Sequence, residues 1–102
     1  MIRILIVDDQ KTVRESIKVL LANVSDFTVI GTANDGIGAI AQVAKLNPDV
    51  VLMDIEMPKL NGLKATEVIS QNNKRVKVLI LTSHERDDLI AQALYVGALV
   101  TT

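Results

Sequence analysis

Apolar positions along the chain switch between two spacings. Ile2-Arg3-Ile4-Leu5-Ile6-Val7 is a short, largely β-branched run and predicts a strand. From Thr12 to Asn23 the apolar residues Val13, Ile17, Leu20 and Leu21 fall at helical spacing. Phe27 to Ala33, centred on Thr28-Val29-Ile30, predicts a second strand, and Asn34-Asp35-Gly36 a turn. Ile37 to Leu46 places Ile40, Val43, Ala44 and Leu46 on one face of a second helix, which Asn47-Pro48 stops. Asp49 to Met53 predicts a third strand, Pro58 to Gly62 a loop, and Leu63 to Gln71 a helix with Val68 and Ile69 inward. Arg75 to Leu81 predicts a fourth strand. Arg86 to Val96 carries Leu89, Ile90, Ala93 and Leu94 on one side of a last helix, with Gly97 as its C-cap. Leu99-Val100-Thr101 reads as the opening of a fifth strand.

Strands alternating with helices imply a parallel sheet with helices on its faces. The continuous apolar runs fit strands covered on both sides. The 102 residues suffice for one domain and not two. No repeat, low-complexity stretch or linker interrupts them.

Composition then removes several classes of function. Phe27 and Tyr95 are the only aromatic residues, too few for base stacking on single strands. A net charge of −1 lacks the basic footprint of a DNA binder, so no direct nucleic acid binding is expected. Without cysteine there are no disulfides, thiolate metal sites or thiol catalysis. His84 is the only histidine, which disfavours a histidine-based zinc site; it is read as a surface loop residue. The N-terminus runs straight into a strand pattern, and no apolar run nears the ~18 residues of a membrane span. A soluble, cytoplasmic protein with no membrane contact is expected.

Ligands of an open parallel sheet sit beyond the carboxyl ends of its strands, where the strand order switches. The first predicted strand ends in Asp8-Asp9, the third in Asp54, the fourth in Thr82-Ser83. If these strands are neighbours, three carboxylates and a hydroxyl share one shallow pocket. Like charges at that range repel unless a cation lies among them, and oxygen ligands suit Mg²⁺. Such a site fits phosphoryl chemistry. Asp54 would be the nucleophile, Asp9 with Asp8 behind it would hold the metal, and Thr82 would donate to a phosphoryl oxygen. Each residue also has a plainer reading. Asp8 or Asp9 could cap the first helix, Asp54 could be a loop acid, and Thr82 or Ser83 could cap the helix at Arg86. Gly36-Ile37-Gly38-Ala39 follows the second strand but has no third glycine in place for a dinucleotide loop.

The segments "ILIVDDQ", "DVVLMDIEMPKLNGL", "KVLILTSHE" and "ALYVGA" together resemble the receiver domain of bacterial two-component response regulators, over essentially the whole chain. The resemblance implies an α/β fold, a flavodoxin-like (CheY-like) doubly wound parallel sheet with strand order 2-1-3-4-5. It implies Asp54 as phosphoacceptor, Asp9 as a direct Mg²⁺ ligand, Asp8 acting through water, and Glu56 offering its backbone carbonyl to the metal. Thr82 becomes the switch hydroxyl, and Pro58 and Gly62 shape the loop behind the site. The implied partner is a sensor histidine kinase, with phosphotransfer as the only catalysis. The spacing from Asp54 to Thr82 and the segment "LTSHERDDLIAQAL" are similar to receivers that precede a helix-turn-helix output domain, the NarL type.

The pattern departs from the family after Gly97-Ala98. No residue matches the family's lysine, and its aromatic switch position falls near Thr101. The chain is thus read as residues 1–102 of a receiver incomplete at its C-terminus, the last strand cut short and the final helix missing. That loss is expected to open parts of Ile4, Ile6, Val51 and Leu79 to water and to drive self-association, through the uncovered sheet face or by exchange of terminal elements. Two other functions compete. One is a receiver-like interaction or dimerisation module impaired in phosphorylation. The other is an aspartate-nucleophile phosphatase, disfavoured by the short chain and by Glu56 where such enzymes favour aspartate.

Overall fold

In a computed structural model of the chain, residues 1–54 and 62–81 are described. They form β1 (Ile2–Val7), α1 (Lys11–Ala22), β2 (Phe27–Ala33), α2 (Gly36–Leu46), β3 (Val50–Asp54), α3 (Gly62–Asn72) and β4 (Lys77–Leu81). The seven elements correspond to the first seven expected from the sequence. The loop expected at Pro58, the helix from Arg86 to Val96 and the strand from Leu99 lie outside the described residues.

The four strands pair in parallel in the order β2-β1-β3-β4. β1 and β3 run in register, Ile4 beside Val50 through Val7 beside Met53, and Asp54 pairs with Leu81 of β4. From β1 the chain steps outward to β2, then returns past β1 to β3. The sheet therefore changes direction between β1 and β3, the place where such sheets open a crevice at their carboxyl ends.

Pleating sends alternate residues of each strand to opposite faces. Leu5, Val7, Val51 and Met53 pack on one side with Ala39 and Val43 of α2 and Ala65 and Ile69 of α3. Ile4, Ile6, Val50 and Leu52 pack on the other with Ile17 and Leu21 of α1. This coverage corrects one expectation. Ile4, Ile6 and Val51 are wholly buried, while Leu79 is partly buried. The physical reason is topological: β1 and β3 are inner strands, α1 already covers Ile4 and Ile6, and Val51 points to the opposite face under α2 and α3.

Local chemistry explains where elements begin and end. Asp35, read as a turn residue, is the N-cap of α2, its Oδ1 accepting the Gly38 N–H at 2.7 Å, so the helix starts at Gly36. Asn47 ends that helix in the left-handed region, φ 49°, with its N–H on the Val43 carbonyl, as asparagine tolerates. The Arg3 guanidinium then reaches the Leu46 and Asn47 carbonyls, at 2.8 Å each, and satisfies groups the helix end leaves open. β4 starts at Lys77 because the Val76 N–H closes a turn onto the Asn73 carbonyl. On β2 one extra residue, Ile30, bulges between the partners of Ile4 and Leu5. Gly31 follows it, and a Cβ there would lie 2.7 Å from Leu46 Cδ1, so the glycine lets α2 pack close.

Candidate functional site

β1 ends at Val7, and hydrogen bonds to both its backbone and its side chain hold the next residue. The Asp8 N–H donates to the Ala33 carbonyl at 3.1 Å, extending the pairing with β2. Asp8 Oδ1 accepts the Gln10 N–H at 2.9 Å, and the Asp8 carbonyl accepts from Arg14 Nη1 at 2.8 Å. Gln10 is the N-cap of α1 and makes no side-chain cap. The capping reading of Asp8 therefore survives only as this short turn before the helix, and that turn engages one carboxylate oxygen. The turn leaves Asp9 exposed at the sheet edge.

Asp54 is the last residue of β3, one step beyond the Val7–Met53 pair. Asp8 and Asp54 are 3% and 4% exposed, the buried charged residues among those described. Carboxylate oxygens of Asp8, Asp9 and Asp54 all lie within 4.8 Å of one another. The convergence of the three carboxylates anticipated from strand ends is thus present: the turn after β1 supplies two acids, the end of β3 the third, and β1 and β3 are register partners. A buried pair of carboxylates is costly unless compensated. All-oxygen donors at this spacing suit a hard divalent cation such as Mg²⁺, which accepts few carboxylates and keeps water elsewhere. The donor set therefore fits such an ion.

Glu56, Pro58 and Thr82 lie outside the described residues. Gly62 opens α3 and is buried, its carbonyl accepting from Thr66 Oγ1 at 2.7 Å. Arg14 escaped the sequence reading. Its spacing carried a faint signal: it stands one turn into α1, close enough to reach back to the Asp8-Asp9 turn. Among the described residues, no helix is long and apolar enough to cross a membrane.

Known proteins share both sequence and shape. The model of the response regulator receiver domain matches residues 4–101. The transcriptional regulatory protein DegU of Brevibacillus brevis is 43% identical over 97 residues, covering 95% of this chain and 41% of that protein. LnrK of Bacillus subtilis, another transcriptional regulatory protein, is 46% identical over 98 residues, covering 96% of this chain and 44% of LnrK. The chain thus spans less than half the length of these relatives. The response regulator domain of Thermotoga maritima CheB superposes with a TM-score of 0.78 at 36% identity, over 93% of this chain and 72% of that one. A LuxR-family DNA-binding response regulator from Staphylococcus aureus gives 0.76 at 28% identity, over 93% and 79%. With a β2-β1-β3-β4 parallel sheet, an acidic triad at its switch point and a family match over nearly every residue, the chain belongs to the receiver domains of two-component response regulators.

Proposed function

We propose that Asp54 accepts a phosphoryl group from the phosphohistidine of a sensor histidine kinase, in the cytoplasm, with Mg²⁺ held by Asp8, Asp9, Asp54 and the Glu56 backbone carbonyl. The observation that carries this reading is the triad itself, three carboxylates from two strand ends within 4.8 Å, two of them buried. An Asp54 oxygen attacks phosphorus, the histidine nitrogen leaves, and an acyl phosphate stands on the strand end. Asp8 and Asp9 would hold the cation together with Asp54. The bound ion supplies charge neutralisation for the transferring group. Thr82 donates its hydroxyl to the phosphoryl group and couples the site to the segment from Thr82 to Val96, a two-state element. Another neighbour, a CheY at 28% identity and a TM-score of 0.75, was solved in complex with CheX, BeF3 and magnesium, which supports this chemistry on the same fold.

The relatives are named transcriptional regulators, so the output is read as transcription control, with DNA contact assigned to the part of those proteins that this chain does not span. Self-association of two copies, expected through an open sheet face or exchange of terminal elements, loses the first of these supports, since Ile4, Ile6 and Val51 are already covered. The test is intact-mass spectrometry after incubation with Mg²⁺ and acetyl phosphate. One added phosphoryl group on the parent, absent with EDTA and absent from Asp54→Asn, is the expected result. No adduct on folded parent would favour the interaction-module reading instead.

A further inference from the structure

Arg14 is placed oddly for a surface cation. It is half-buried, and among the described residues no carboxylate forms an ion pair with it. It lines a cleft of about 290 Å³ with Thr32, Asn34 and Gln42, on the β2 side of the acidic triad. Its Nη1 donates to the Asp8 carbonyl at 2.8 Å, while its own N–H donates to the Gln10 carbonyl at 3.1 Å. The second of these is the first backbone bond of α1; the Nη1 bond is what the arginine side chain adds to the Asp8–Gln10 turn. The Asp8 carbonyl belongs to the peptide unit that leads into Asp9, and fixing that plane fixes where Asp9 leaves the backbone. Asp9 is exposed, and the backbone is what aims it.

We propose that Arg14 is a positioning residue for the divalent-cation site, holding the Asp8–Asp9 peptide so that the Asp9 carboxylate faces Asp54. This rests on the reading that the triad binds Mg²⁺. The idea has a sign that separates it from simple electrostatics. Removing a cation beside three carboxylates should, by charge alone, tighten Mg²⁺ binding. Removing an orienting hydrogen bond should weaken it, by about tenfold for a partner behind the ligands.

The experiment is a Mg²⁺ titration of the chain followed by backbone amide NMR shifts, for the parent, Arg14→Met and Arg14→Lys. Expected is a roughly tenfold higher Kd for Arg14→Met and a smaller rise for Arg14→Lys, whose point charge retains a donor. Equal or tighter binding by folded Arg14→Met overturns the proposal while leaving the site intact. Should Arg14→Met fail to fold, Arg14→Lys decides alone: a weaker site supports positioning, and an unchanged one overturns it. A parent that binds no Mg²⁺ at millimolar levels overturns the site reading itself, and this inference with it.

Discussion

Replacing Asp54 by asparagine probes the charge imbalance of the triad, because the side chain keeps its shape and loses its charge. Oxygens of Asp8, Asp9 and Asp54 lie within 4.8 Å of one another. Two unit charges at that distance repel by about 1 kcal/mol in water and ~3.5 kcal/mol at an effective dielectric of about 20. The Asp8–Asp54 pair is 3% and 4% exposed and belongs toward the larger figure; exposed Asp9 belongs toward the smaller. Asp54→Asn removes two of the three repulsions. Asp54 also takes part in another polar or electrostatic interaction, so the full two-pair sum is an upper bound on the gain. The net expectation is a gain of about 1–2 kcal/mol in metal-free protein, at about 4–8 °C in Tm per kcal/mol for a domain this size. Mg²⁺ separates the two chains by the size of its effect. At ten times its Kd it should stabilise the parent by about 1.4 kcal/mol, and asparagine, one charge short, by less. The assay is thermal unfolding of both proteins in EDTA and across a Mg²⁺ series. An Asp54→Asn variant that melts no higher than the parent in EDTA would refute the repulsion argument. Equal Mg²⁺ shifts in the two would refute Asp54 as a ligand.

Two further predictions concern the frame around the site. Arg3→Met loses both hydrogen bonds to the last carbonyls of α2 and should cost about 1–2 kcal/mol in urea unfolding; Arg3 lies at the opposite end of the sheet, so Mg²⁺ affinity should not change. Asp35→Ala removes the N-cap of α2 and should cost about 1 kcal/mol, with faster hydrogen exchange at the Gly38 amide.

Much of this molecule was legible in its residues because the relevant physics is local. Apolar runs such as Ile4-Leu5-Ile6-Val7 and Val50-Val51-Leu52-Met53 announce inner strands, since only a strand covered on both faces dispenses with polar alternation. Asn47-Pro48 announces a helix end, since one residue tolerates the left-handed region and the next cannot continue the helix. The Asp8-Asp9 pair and Asp54 stood out because each closes an apolar strand run. Other features were invisible for the converse reason: they depend on which elements become neighbours. Nothing near Asp35 told turn from cap, because the distinction is one hydrogen bond to Gly38. The expected open face under Ile4 and Val51 was misjudged because helix coverage follows from crossover geometry and not from any single run. Sequence by itself determined the order of elements and the acids at their ends. Tertiary structure alone decided that β1 lies beside β3, that three carboxylates come within 4.8 Å of one another, and that Arg14 from the next helix holds the turn between two of them. Those distances are set by strand pairing and packing across residues far apart in the chain, where no local spacing can express them.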